Sequence, residues 1–345
     1  MKSPTQEEFR KAATCVTAWK RPLLLSHTRP DGDALGSLLA MRGFLRATGS
    51  DPLAVLYAAI PDRYAFCQHQ DPLPVLGSDV LEKDLARADG VLLLDTCAAA
   101  QIEPVASWLA ASRLPKVAVD HHVSRDELAD VYLVDESAAA NCLILYQWAL
   151  AAGWRISHET SGHLFMGLAM DTGWFRHSNT DARVLSAAAD LTTRGAVPHA
   201  LYDQLFNRET PGRIRLLGAA VGTLELHAGG RLGVMTLGAD AFHQAQAGRG
   251  DTEDIVEVPL RIASVYVSVL LVEQEGEGLV RVSLRSRAPE CEGDLDVDVA
   301  AAAQRLGGGG HRRAAGARIP GTLHDARRRV VELLEKALLE AGNPH

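Results

Sequence analysis

The chain has 345 residues, 47% hydrophobic but only 5% aromatic, with 35 Lys and Arg against 43 Asp and Glu, a formal net charge of −8. That length exceeds one ordinary core and suits two domains. The acidic balance argues against a protein that grips long duplex nucleic acid by its phosphates, and fits a small substrate in a local basic pocket or a site that gathers metal cations. In chain order, three apolar runs each end in an acid or a histidine: Pro22 to Ser26 leads into His27, Val91 to Leu94 into Asp95, and Lys116 to Val119 into Asp120, His121 and His122. Short continuous runs of this kind predict strands buried on both faces of a parallel sheet. Helical spacing predicts helices over Ala34–Ala47, Ala138–Ala151, His158–Met170 and Asp181–Thr193. Strands alternating with helices predict an α/β fold, a doubly wound parallel-sheet domain over residues 1–192.

The pattern changes at Thr193–Pro198, which breaks the helical run; residues 199–222 read as helical again, and residues 193–212 are expected to form a helical linker. Residues 213–345 then predict a smaller α+β domain. Its strands are expected at Gly222–Leu226 and Leu232–Leu237, joined by a turn at Ala228, Gly229 and Gly230, and at Ile262–Val272 and Leu279–Arg285, joined across Glu275–Gly278. Helices are expected at Val297–Arg305 and Leu323–Ala341. The five cysteines, Cys15, Cys67, Cys97, Cys142 and Cys291, are odd in number and lack C-x-x-C spacing, so neither a disulfide framework nor a cysteine zinc site is expected. The N-terminal residues lack the apolar stretch of a signal peptide, and no run approaches the about 18 apolar residues of a membrane helix. A soluble cytoplasmic protein without membrane partners is expected.

The strand ends carry the chemistry. In an open parallel sheet the carboxyl ends of the strands line the ligand crevice, which brings His27, Asp31, Asp33, Asp95, Asp120, His121 and His122 to one edge. Asp171, after an apolar helix and before Thr172 and Gly173, can reach the same edge. Any one such Asp is more often a turn or helix cap; four segments with acids or histidines at one edge are not explained that way. Gathered carboxylates repel and raise one another's pKa, a conflict that divalent cations remove. Mixed imidazole and carboxylate donors suit Mn²⁺, Zn²⁺ or Fe²⁺, and the oxygen-rich balance favours Mn²⁺. The number of donors favours two cations, which would clamp an in-line phosphoryl displacement.

The segment His27 to Ser37, with His27, Asp31, Asp33 and Gly36, resembles the first motif of the DHH phosphoesterases. Asp95 resembles their second, Asp120-His121-His122 the one that names the family, and Asp171 to Arg176 the fourth. Gly307 to Gly316 is similar to the DHHA1 signature. The resemblance spans most of the chain in the expected order. It implies that His27 and Asp31 bind one metal, that Asp33, His121 and Asp171 bind a second, and that Asp95 bridges them. It also implies that Asp120 orients a histidine and that His122 faces the substrate phosphate as a proton donor. Family members often carry a Ser/Thr pair where this chain has Ala138-Ala139-Ala140-Asn141-Cys142.

Four consecutive glycines, Gly307 to Gly310, do not fit a helix or strand interior, and with His311 behind them they read as an anion cradle. Arg285 and Ser286, at the end of a strand, join Gly308, Gly309, Gly310 and His311 as expected substrate-binding residues. The second domain would hold the far end of a substrate that the first domain cleaves. The domain make-up matches the nanoRNase and pAp phosphatase branch of the family. Expected substrates are therefore short RNA or DNA oligonucleotides, linear dinucleotides or mononucleotide phosphates such as 3′-phosphoadenosine 5′-phosphate (pAp), and not long duplex. A cyclic-dinucleotide phosphodiesterase, a RecJ-like single-strand exonuclease and a non-catalytic nucleotide-binding module are the alternatives. The last is disfavoured because no ligand position is lost. A homodimer is compatible with the chain but not specified by it.

Overall fold

The structure is a computed structural model that describes residues 3–68, 71–123, 125–289 and 294–342. Cys291 lies outside the described residues. The chain divides into two compact units, Met1–Arg208 and Glu209–His345. Among the described residues no helix is long and apolar enough to cross a membrane, and Cys15, Cys67, Cys97 and Cys142 are free thiols.

The first unit is an all-parallel sheet of β1 (Pro22–Leu25), β2 (Leu53–Ala54), β3 (Gly90–Leu94), β4 (Lys116–Asp120) and β5 (Val131–Val134), in the order β2-β1-β3-β4-β5. The helices are α1 (Gln6–Thr17), α2 (Gly32–Ala47), α3 (Glu82–Leu85), α4 (Glu103–Ala111), α5 (Asn141–Ala152), α6 (His158–Asp171), α7 (Ala182–Thr193) and α8 (Pro198–Phe206). Strand side chains alternate between the two sides of the sheet. Leu24, Leu92, Leu94, Val117 and Val119 join the core under α1, α2, α5 and α6. Leu23, Leu25, Val91, Leu93 and Ala118 join the opposite core with Val105 and Leu109 of α4. Burial on both sides is why these strands read as unbroken apolar runs. The strand order reverses between β1 and β3, so the crevice at their carboxyl ends is the topological switch point where such sheets bind ligands.

The second unit holds a six-stranded mixed sheet in the order β10-β11-β9-β8-β7-β6. Its strands are β6 (Glu225–His227), β7 (Leu232–Leu237), β8 (Val267–Gln274), β9 (Leu279–Ser286), β10 (Gly309–His311) and β11 (Ala314–Pro320). Its helices are α9 (Pro211–Gly222), α10 (Ala239–Ala245), α11 (Val299–Arg305) and α12 (Leu323–Ala341). One side of the sheet is covered over its four inner strands: Val280, Val282 and Leu284 of β9 and Ala315, Ala317 and Ile319 of β11 pack with α11 and α12. The other side is covered over β7 and β8, where Met235, Leu237, Leu270 and Val272 meet Leu216 and Ala220 of α9 and Ala245 of α10.

Several boundaries differ from the sequence expectation for local reasons. Ala140 is extended (φ −159°), so the helix expected from Ala138 starts at Asn141. The helical stretch expected over 199–222 is two helices, broken before Pro211, which opens α9 with Thr210 as its cap. Gly222 closes α9, and the strand expected there begins at Glu225. The strand expected from Ile262 begins only at Val267, after a 3₁₀ segment, Ile255–Arg261, and a turn.

Trp148 is fully buried and its indole Nε1 donates to the Phe9 carbonyl at 2.8 Å, which ties α5 to α1. Trp148→Ala removes a large core side chain and the hydrogen bond that ties α5 to α1. It is expected to cost about 3–5 kcal/mol, read as a shifted midpoint in urea denaturation of the full chain.

Candidate metal centre and phosphate-binding face

Backbone groups, near and distant in sequence, place several of the acids in the crevice. Asp31 caps α2, its Oδ1 accepting from the N–H groups of Asp33 (3.0 Å) and Ala34 (3.1 Å). Asp33, the second residue of α2 and fully buried, accepts from the N–H groups of Asn141 and, at 2.9 Å, Cys142. These are the first two residues of α5, whose cap residue Ala140 offers no side-chain acceptor. A carboxylate from α2 therefore caps α5, where the positive end of the helix dipole favours it. This accounts for the departure at Ala138–Cys142: the donors are backbone N–H groups, which any residue supplies. Asn141 Nδ2 donates to Ser37 Oγ at 2.9 Å, closing the same buried joint.

Asp95 leaves β3 in the left-handed region (φ 59°), an uncommon state that Asp tolerates better than most residues. Its side chain is 2% exposed and stands between two histidines, Oδ2 at 3.5 Å from His27 Nε2 and Oδ1 at 3.4 Å from His121 Nε2. His121 Nε2 is also 3.3 Å from Asp171 Oδ2, at the carboxyl end of α6. The His121 ring is oriented by the Ala138 carbonyl, 3.2 Å from Nδ1. Asp120 instead serves His122: its Oδ1 accepts from the backbone N–H groups of His121 (2.8 Å) and His122 (3.2 Å), and lies 2.7 Å from His122 Nδ1.

Three donor sets result, each with ligand atoms within 4.8 Å of one another: His27–Asp31–Asp95, Asp33–His121–Asp171 and Asp95–His121–His122. Asp95 Oδ1 and His121 Nε2 are buried and lack a hydrogen-bond partner despite their proximity. Buried polar atoms are rarely left so; atoms facing a common point without hydrogen-bond geometry are what a cation requires. The electrostatics agree. Burial, reinforced by Asp33, Asp31 and Asp95, raises the Asp171 carboxyl to about 9. Burial and Asp95 raise Asp33 to about 7. Burial works against the His121 imidazolium, but Asp95, Asp33 and Asp171 hold it up to about 10. Without a cation, protons do the work of neutralisation.

In the second unit, Arg285 and His311 lie on one side of the sheet. Arg285 pairs with Ala314 across β9 and β11, and Ala314 pairs with His311 across β11 and β10. Arg285 Nε is 3.4 Å from Glu257 Oε1, a half-exposed pairing that water screens. Two expectations are corrected here. Ser286 faces the covered side, where its hydroxyl donates to the Val297 carbonyl at 2.8 Å, and so is structural. The glycine run does form strand: Gly309 and Gly310 enter the edge strand β10. Gly310 (φ 143°) holds a conformation that side chains rarely adopt, and a Cβ there would lie 2.6 Å from the Ala314 carbonyl oxygen. Gly308 closes α11 by donating to the Ala303 carbonyl at 2.8 Å, and a Cβ on it would strike the Gly316 carbonyl oxygen at 2.0 Å. Close backbone packing fixes Gly308 and Gly310, whereas Gly307 and Gly309 have open space around them. Arg312 and Arg313 are paired with Asp296.

Residues 23–168 match the DHH family, N-terminal domain, and residues 234–340 match the DHHA1 domain. The bifunctional oligoribonuclease and PAP phosphatase NrnA of Thermus thermophilus is 31% identical over 97% of this chain and 96% of its own length. The protein of the same name from Bacillus subtilis is 25% identical over 88% and 91%. An exopolyphosphatase-related protein from Bacteroides fragilis shares the fold, with a TM-score of 0.84 at 22% identity over 99% of this chain and 100% of its own.

The metal-free protein should lose stability as pH rises. Asp171 and Asp33 have folded pKa values above the usual carboxylate value of 3.8, and His121 above the usual 6.5. Each group's contribution is intact below its unfolded value and is lost as pH rises toward its folded value, about 7 for Asp33 and about 9 for Asp171. The Tm of EDTA-treated protein is expected to fall steadily between about pH 5 and 9, and Asp171→Asn to flatten that fall. A Tm independent of pH in both proteins would contradict the electrostatics of the centre.

Proposed function

The chain belongs to the DHH family and carries a DHHA1 domain; on that premise we propose that this phosphoesterase hydrolyses short oligonucleotides and pAp with two divalent cations, Mn²⁺ in preference. The observation that carries this reading is the meeting of His27, Asp31, Asp33, Asp95, His121 and Asp171 in donor sets with none missing. The two oxygens of Asp95 face different histidines, His27 and His121, which supports a carboxylate shared between two cations. Oxygen donors outnumber nitrogen donors four to two in these six residues, which favours Mn²⁺ over Zn²⁺. The full-length likeness to relatives named oligoribonuclease and PAP phosphatase supports the substrate class.

Bound divalent cations supply neutralisation of phosphate charge and a water acidic enough to attack at neutral pH. The chain's own groups do the rest. The hydrogen bond to Asp120, against the cost of burial, holds the His122 imidazolium above its ordinary pKa. With Nδ1–H donating to Asp120 and the side chain 45% exposed, His122 keeps Nε2–H to give to the departing oxygen. Arg285 and His311 bind a substrate phosphate, with Gly309 allowing close backbone approach. Asp33 cannot swing away when substrate binds, because α5 holds both of its oxygens.

Hydrolysis under Mn²⁺ at fixed salt is expected to be fastest on strands of roughly two to five nucleotides and to fall toward twenty, because an acidic chain offers longer strands no extended cationic track. Equal or rising kcat/KM at twenty nucleotides would favour a processive exonuclease instead. Asp95→Asn is expected to lower kcat by about 100-fold or more, with loss of bound metal by elemental analysis. Arg285→Ala and His311→Ala should act chiefly on KM.

A further inference from the structure

The side of the second sheet that carries Arg285 and His311 continues beyond them. Side chains on one side of a strand recur at every second residue. In β9 these are Arg285, Ser283 and Arg281, while Val280, Val282 and Leu284 face the covered side. The register sets each against its neighbour in β11: Ser283 against Gly316 and Arg281 against Arg318. Gly316 in turn faces Gly309 of the edge strand. Between two cationic rows there is thus a row of one serine and two glycines, a low floor over which a chain can lie. Arg281 and Arg285 are four residues apart, so the rows stand about 13 Å from one another along the strand.

The Arg281 row is not balanced by acids. Among the described residues Arg318 makes no ion pair and is exposed. Arg281 is hydrogen-bonded to Thr252 Oγ1, and its buried Nε lacks an acceptor. Burial, with Arg318 and Arg249 nearby, makes the Arg281 charge costly. Arg249 has its own partner, Glu277 at 3.0 Å. A half-buried guanidinium beside a second unpaired one is the arrangement that an anion relieves.

We propose that Arg281 and Arg318 form a second phosphate subsite on this sheet, which takes a phosphate further along an oligonucleotide than the one held by Arg285 and His311. The inference rests on the oligonucleotide reading above and deepens it. A dinucleotide or pAp is too short to occupy both rows, whereas a strand of four or five nucleotides reaches both. Glu277 and the paired Arg249 lie beyond Arg281, so the track ends there and the gain saturates at a few nucleotides.

The test is fluorescence anisotropy of the full-length, Mn²⁺-loaded protein with labelled phosphorothioate oligonucleotides that resist cleavage. Wild type is expected to bind the pentanucleotide about tenfold more tightly than the dinucleotide. The Arg281→Gln/Arg318→Gln variant should bring the pentanucleotide down to the dinucleotide's affinity and leave the dinucleotide unchanged. It should also reduce the salt dependence by about 0.7 in log–log slope for each phosphate that is no longer neutralised. Exposed Arg318→Gln alone should give an intermediate loss, which guards against a folding defect in the double variant, and Arg281→Lys/Arg318→Lys should recover most of the affinity. Equal wild-type affinity for both lengths, or equal loss on both in the variants, overturns the subsite. Hydrolysis of unmodified dinucleotide and pAp by wild type is measured alongside. If it is absent the substrate assignment falls, while the anisotropy series still judges whether Arg281 and Arg318 bind phosphate.

Discussion

The hydrogen bonds between Asp33 and the first two N–H groups of α5 organise the first unit. They hold α2, α5 and the metal centre to a single geometry, because one carboxylate is both a helix cap and a candidate ligand. The joint is buried throughout, with Ser37, Asn141 and Cys142 around it. Close approach of the elements depends on small residues. A Cβ on Gly167 of α6 would lie 2.6 Å from Asp33 Oδ1 and 2.3 Å from Cys142 Sγ, and one on Gly36 of α2 would lie 2.6 Å from the His163 carbonyl oxygen. Packing and chemistry are therefore not separable at this point: the glycines that let α2 and α6 meet also let Asp33 and Asp171 share one crevice.

Around that joint the sheet supplies what a helix pair cannot. Parallel strands end together, so His27, Asp95 and Asp120 leave β1, β3 and β4 at one edge, and the reversal of strand order between β1 and β3 leaves room for a ligand there. The second unit uses a different logic. Its antiparallel strands put alternating residues of β9 on an uncovered side while the intervening valines and leucine build the core. The candidate residues of one unit sit at strand ends and those of the other on a strand face.

Much of the site was legible in the sequence because its signals are local. A strand that ends in Asp or His, and a carboxylate just ahead of a helix, announce themselves in a few letters; His27, Asp31, Asp33, Asp95 and His121 do converge in the fold. Asp171 was less plain, since it closes a helix rather than a strand. What was not legible depends on distant backbone. Nothing near Asn141 indicates that its N–H meets a carboxylate 108 positions earlier. Ser286 read as a ligand because of its neighbour Arg285, yet strand alternation turns it into the core. The strand character of the glycine run was hidden because the local pattern cannot reveal that β11 folds back to pair with it.

The left-handed conformation of Asp95 carries a consequence of its own. The bend that aims the carboxylate between two histidines also imposes a backbone state costing on the order of 1 kcal/mol for a residue with a Cβ. Glycine adopts that state freely and would relieve the crowding of acids in the metal-free protein as well. On the proposed reading, the position is one where firmness of fold and turnover pull in opposite directions, since a sturdier residue at 95 would also remove the carboxylate proposed to be shared between two cations.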